Sequence, residues 1–234
     1  MKIAIMGAMA EEIEPILERM DSYETIEYAK NIYYKGQYRG IDIVVAYSKI
    51  GKVFATLTAT ILIEKFKCNT LLFSGVAGGL NPNFKIGDLV IASGLCQFDL
   101  DITVFGHPHG YVPEGQICIN TSSTLRELAK DIANRRGINL AEGVIATGDQ
   151  FISCEDRKGF ICETFKADAV EMEGASVAVV CDSLNIPFFV LRAISDTANH
   201  EADIDFDKFL EESAKISADF ILDMVEELGK DSSK

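Results

Sequence analysis

The sequence predicts an α/β fold: one domain over residues 1–230, built as a three-layer α/β/α sandwich around a mixed central sheet, with residues 231–234 as a frayed tail. Three observations carry this. Short apolar runs of buried-strand type alternate with helical patterns along the whole chain. No repeat, low-complexity tract or linker interrupts them. The 234 residues suit one large domain, and at that size roughly 70–75% of the unfolded surface can be buried.

The elements follow in order. Residues 2–6 form a short buried strand, and Gly7 turns the chain into a helix with Ile13, Ile16, Leu17 and Met20 at helical spacing. Glu11 and Glu12 stand in its first turn, where the macrodipole favours carboxylates. One glycine in place of three excludes the dinucleotide fingerprint. Residues 33–38 and 41–47 alternate around Arg39-Gly40 as a hairpin. A helix over 53–66 is apolar nearly all round, as in a core or a subunit interface. Residues 69–75 form a buried strand, and the glycine-rich turn at 75–80 permits close backbone approach to a ligand. A strand over 89–93 leads into a long irregular segment, 95–113, with aromatic residues and both His107 and His109. Without a third histidine nearby, these two read as a solvated loop, and a loop of this length serves a function or an interface.

A helix ends at Gly137 after capping residues at 121–124. A strand over 140–146 and a loop at 147–152 precede a short helix over 155–164. Next comes Val170-Glu171-Met172-Glu173-Gly174; if it is extended, both glutamates face one side at a strand end. A solvated strand end is the plain alternative. An apolar helix over 175–184 follows, and a long amphipathic helix from Phe206 closes the domain.

The formal net charge of −14 argues against nucleic acid or an anionic membrane as partner. No run is long enough to span a bilayer and no signal peptide is evident, so a cytoplasmic protein is expected. The six cysteines show neither CxxC nor zinc spacing and read as unpaired thiols in a reducing compartment.

The most informative stretch is 188–199, FFVLRAISDTAN. Arg192 puts a permanent charge into an apolar strand, which is costly unless paired or solvated in a site. Asp196 stands where the strand should end, and ligands of parallel sheets bind at the carboxyl ends of strands. This makes Asp196 a candidate catalytic acid.

Taken together, the motifs resemble those of the 5′-methylthioadenosine/S-adenosylhomocysteine nucleosidases of the purine nucleoside phosphorylase superfamily. They are Gly7-Ala8-Met9 with Glu11-Glu12, Ile50-Gly51-Lys52, Gly75 to Gly79 with Lys85-Ile86-Gly87-Asp88, Thr103 with Phe105-Gly106, Gly148-Asp149 with Phe151-Ile152, Val170-Glu171-Met172-Glu173, and Arg192 to Asp196. The resemblance covers nearly the whole chain and implies hydrolysis of the N-ribosidic bond of 5′-substituted adenosines. It implies Asp196 as general acid at adenine N7, oriented by Ser195. Glu12 is implied as the base that activates water, with Arg192 nearby. Glu173 would bind the ribose hydroxyls over Met172, while Phe151 stacks on adenine and the Ile152 backbone reads its edge. Met9, Ile50 and Phe206 would line the sugar and 5′-alkylthio pocket, with Val76 and Ala77 also against the substrate. A homodimer is implied, with Ile102, Phe105 and Pro113 reaching the partner's site.

This chemistry requires an acid at the leaving group and a base opposite, as in inverting glycosidases, and neither a metal nor an organic cofactor. Family members often carry a serine where Val76 stands, and valine cannot hold water or a sugar hydroxyl. That difference bears on substrate preference, and some relatives hydrolyse 6-amino-6-deoxyfutalosine in a menaquinone route. The alternatives are a phosphate-dependent phosphorylase, against which the charge of Glu12 argues, and a non-catalytic binder of adenosine-like ligands.

Overall fold

The structure, a computed structural model, describes residues 1–199 and 202–231, with the side chain of Asp231 left out. The strands are β1 (Ile3–Gly7), β2 (Ser22–Tyr28), β3 (Asn31–Tyr38), β4 (Ile41–Tyr47), β5 (Thr70–Phe73), β6 (Val76–Gly79), β7 (Leu89–Gln97), β8 (Cys118–Asn120), β9 (Leu140–Thr147), β10 (Ala169–Glu171) and β11 (Phe188–Asp196). The helices are α1 (Ala10–Leu17), α2 (Lys52–Glu64), α3 (Ser123–Arg136), α4 (Glu155–Phe165), α5 (Gly174–Ser183) and α6 (Ala202–Asp231). The strands join in one mixed sheet of order β2-β3-β4-β1-β5-β11-β6-β10-β9-β7-β8.

β11 is the hinge of this sheet. Its first half pairs in parallel with β5 and its second half with β6. Residues Leu191 to Ala193 also pair antiparallel with β7, so β11, β6, β10, β9 and β7 close on themselves. A strand with neighbours on every side needs apolar residues on both faces, and all nine residues of β11 are buried. Helices cover both faces of the sheet. One apolar core lies under α2 and α5, and a second under α1, α3 and α6. A third packs α4 against β9 and β10. The three-layer arrangement agrees with the expectation.

Four elements differ from their sequence reading, one of them the short strand β8, which was not foreseen. β2 was not foreseen: it is an exposed edge strand of sequence SYETIEY, so burial leaves no apolar signature on it. The segment at 75–80 is not a turn, because residues 76–79 form β6 inside the sheet. Glycine there serves close packing of acidic side chains against the strand. Finally, residues 170–174 are not extended to their end. β10 stops at Glu171, and Glu173 caps α5 with φ −135° and ψ −38°, so the two glutamates reach one cavity from a strand end and a helix cap. The predicted C-terminal helix exists and reaches Asp231, while the rest of the expected tail lies outside the described residues.

Candidate active site

The carboxyl ends of β1, β4, β9, β10 and β11 converge with β6 on a cavity of about 310 Å³. Glu12, Val76, Phe151, Met172, Glu173 and Asp196 are among the residues that line it.

Glu12 reaches the cavity from the first turn of α1 and is 2% exposed. Its Oε2 accepts hydrogen bonds from the Ala8 and Met9 amides, and its Oε1 accepts one from Val76 N at 3.0 Å. The side chain thus caps its own helix and also bridges to β6 at the cavity. Burial raises its pKa, and the Arg192 charge and the three amides oppose that rise.

Asp196 ends β11. A bulge at Ser195 shifts the register so that Asp196 stands opposite Gly78, and bulges commonly re-aim a side chain in this way. Ser195 Oγ donates to Asp196 Oδ2 at 2.9 Å, and Ala198 N donates to Oδ1 at 2.9 Å. Burial raises the Asp196 pKa against these two bonds.

Two glycines set where the carboxylates sit. A Cβ on Gly75 would come 2.6 Å from Glu12 Oε1, and one on Gly78 would come 2.8 Å from Asp196 Oδ1. The two acids therefore press on one segment, Glu12 on Gly75 just before β6 and Asp196 on Gly78 within it. We expect Gly78→Ala to push Asp196 aside and to lower kcat by more than tenfold while the protein stays folded. Parallel kinetics and thermal unfolding check this, and an unchanged kcat would show that Asp196 tolerates displacement.

Arg192 is 1% exposed and does not line the cavity. Its Nη2 pairs with Glu171 Oε2 at 2.8 Å, and its guanidinium lies 4.1 Å from the centre of the Phe73 ring. Glu171 also accepts from Thr147 Oγ1 and from the Glu173 and Gly174 amides at 3.1 and 2.7 Å. A buried ion pair is tolerated when its remaining lone pairs are satisfied in this way. Arg192 is thus a support behind Glu12 and Glu171, not a wall of the cavity.

Glu173 accepts a hydrogen bond from Gly51 N at 2.7 Å, which ties the start of α2 to the cavity. Burial, with the Glu171 carboxylate adding to it, pushes its pKa up to about 8. Its folded pKa exceeds its ordinary value of 4.5, so its contribution to stability is complete below pH 4.5 and is lost as pH rises towards 8. We expect Glu173→Gln, which mimics the neutral acid, to gain in melting temperature relative to the parent across that window and to level off above it. Melting curves between pH 4 and 9 test this, and a difference that does not change with pH would refute it.

Residues 2–226 match the phosphorylase superfamily. The chain belongs to that superfamily. It is 56% identical over 228 residues to the aminodeoxyfutalosine nucleosidase of Campylobacter jejuni, covering 97% of this chain and 100% of the relative. It is 39% identical to the 5′-methylthioadenosine/S-adenosylhomocysteine nucleosidase of Bacillus licheniformis, again over 97% and 100%. The solved structure of a Helicobacter pylori nucleosidase mutant with 5′-methylthioadenosine in the active site superposes with a TM-score of 0.95. That likeness is at 52% identity and covers 97% of this chain and 98% of the other.

Within this superfamily fold, Met9, Ile50, Val76, Ala77, Phe151, Ile152, Met172, Glu173, Ser195 and Phe206 come together with Glu12 and Asp196 around the cavity. Phe206, from the first turns of α6, meets Phe151 edge-on at 5.7 Å across its mouth. Ile102, Phe105 and Pro113 do not line it. Phe105 lies in a 3-10 turn, Thr103–Phe105, and is 77% exposed. Ala8, Gly78, Gln150, Val170 and Glu171 line the cavity but were not chosen as site residues from sequence. For Glu171 the signal was present, since it stands two residues before Glu173. Val76 contributes through its backbone amide, which needs no hydroxyl. Among the described residues, no cluster of His, Cys, Asp and Glu is arranged to hold a metal, and no helix is long and apolar enough to cross a membrane. His107 stacks on Tyr111 at 4.6 Å, and His109 packs edge-on to Phe160.

Proposed function

We propose that the chain hydrolyses the N-ribosidic bond of 5′-substituted adenosines and releases adenine. Asp196 protonates N7 of the leaving base, and Glu12 takes a proton from the attacking water. The observation that carries this reading is the pair of buried carboxyls, both with raised pKa, at the two ends of β6 in one cavity. One meets β6 at the Val76 amide and the other stands opposite Gly78, so base and acid face the cavity from different positions, as inversion requires. Glu173, beside Met172 in the lining, would hydrogen-bond the ribose hydroxyls. Phe151 supplies a flat face for adenine.

The nucleosidase names of the relatives support hydrolysis. So does the lining: among the described residues it contains neither lysine nor arginine to hold phosphate. Adenine release measured with and without phosphate tests this, and strict phosphate dependence would sink the hydrolytic reading. The substrate range extends to 6-amino-6-deoxyfutalosine, because the relatives at 53–56% identity carry that activity in their names. Adenine release from this substrate, 5′-methylthioadenosine, S-adenosylhomocysteine and 5′-deoxyadenosine, with one preparation, ranks them.

The working form is a cytoplasmic homodimer in which Ile102, Phe105 and Pro113 complete the partner's pocket. Support comes from exposed apolar side chains on α2 and on the 3-10 turn: Val53, Phe54, Leu57, Val104 and Phe105 are all exposed. Placing carboxylates there with Phe54→Glu and Leu57→Glu together should convert the dimer to a monomer in light scattering and lower adenine release. A dimer that survives both changes would move the interface elsewhere.

A further inference from the structure

The antiparallel ladder between β7 and β8 has three register pairs, Gly94 with Asn120, Leu95 with Ile119 and Cys96 with Cys118. The last pair stands one residue from the end of β7, so the two cysteines face each other across the root of the loop formed by residues 98–117. Residues directly opposite in an antiparallel pair have Cα atoms about 4.5–5.5 Å apart, inside the span of about 4.4–6.8 Å that a disulfide needs. The two thiols lie in the apolar cluster under α4, with Cys96 1% exposed and Cys118 only partly covered. From this juxtaposition we propose that Cys96 and Cys118 form a reversible disulfide under peroxide, stapling the loop that carries Ile102, Phe105 and Pro113.

The chemistry divides between the two sulfurs. Hydrogen bonding from Cys96 holds the Cys118 thiol down at about 7, and the same bond together with burial pushes that of Cys96 up. Cys118 is therefore the partly exposed thiolate, and Cys96 is the buried thiol that resolves it. The Cys118 thiolate attacks a peroxide oxygen; the S–O bond forms, the O–O bond breaks, and the departing hydroxide takes a proton to leave as water. The Cys96 sulfur then attacks the Cys118 sulfenic acid. The S–S bond forms, the S–O bond breaks, and the second hydroxide leaves as water with the Cys96 proton. Two thiols lose two electrons in all, and one hydrogen peroxide becomes two waters. A dithiol reductant reverses the change by exchange.

The test treats the reduced full-length protein with hydrogen peroxide, alkylates it in denaturant, and maps the peptides by mass spectrometry. Expected are a Cys96–Cys118 cross-linked peptide lighter by two hydrogens, four alkylated cysteines of the six, and full reversal by dithiothreitol. In Cys96→Ala the cross-link disappears and dimedone labels Cys118. Limited proteolysis within residues 98–117 should slow on oxidation and recover on reduction. Alkylation of both cysteines after peroxide, or a cross-link from Cys118 to Cys162 or to a second chain, would overturn the proposal. Equal proteolysis of both states would overturn the stapling.

Discussion

Asp196→Asn is expected to remove nearly all adenine release while leaving nucleoside binding measurable. The substitution keeps the size and the acceptor oxygen but has no carboxylic proton to give. In the parent, burial favours the protonated acid. Ser195 and Ala198 fix the plane of the carboxyl, so the proton is presented in one direction. A positioned acid typically contributes roughly 10²–10⁴-fold, and adenine leaves poorly without protonation, so a kcat loss towards the upper end of that range is expected. Single-turnover adenine release with binding followed by calorimetry separates the two effects. If kcat falls less than about tenfold, the proton comes from another group. If the parent protein binds 5′-substituted adenosines and never turns them over, the chain is a binder.

Glu12→Gln should have a comparable effect on kcat, again roughly 10²–10⁴-fold, because an amide cannot take the proton from water. It should also reduce stability, unlike Asp196→Asn. Three backbone donors converge on the two Glu12 oxygens: Ala8 and Met9 on Oε2, Val76 on Oε1. Glutamine has one acceptor oxygen, so one side of the network meets an NH₂ group. A buried donor left without an acceptor costs about 1–3 kcal/mol, and the Arg192 charge that favours the Glu12 anion loses that partner. Denaturant unfolding of the two variants side by side distinguishes these outcomes. Equal stabilities would mean that the amides rearrange, and a kcat within about tenfold of the parent would place the base elsewhere.

Much of this was legible before folding was considered, because it depends on local chemistry. The alternation of apolar strands and helices is periodic, and hydrophobic period is a local signal. Asp196 at the end of an apolar run and Glu12 in a first helical turn stood out by residue type against their neighbours. β2 left no trace because an exposed edge strand has no face to bury. The role of Arg192 was not readable either. Its charge inside β11 was an anomaly whose partner, Glu171, lies 21 residues away on another strand.

The close pairing of Glu12 and Asp196 with β6 belongs to the folded chain. One is brought in by the first helical turn and the other by a bulge at Ser195, and each rests on a glycine that no side chain could replace without contact. Sequence spacing cannot encode that meeting, because β6 is held between β11 and β10, strands that lie far from it along the chain. The raised pKa values follow for the same reason: they come chiefly from burial, which exists only once the layers have packed. Residue type supplied the two carboxyls proposed as acid and base, and the closed sheet supplied the shared cavity and the burial that the proposed reaction needs.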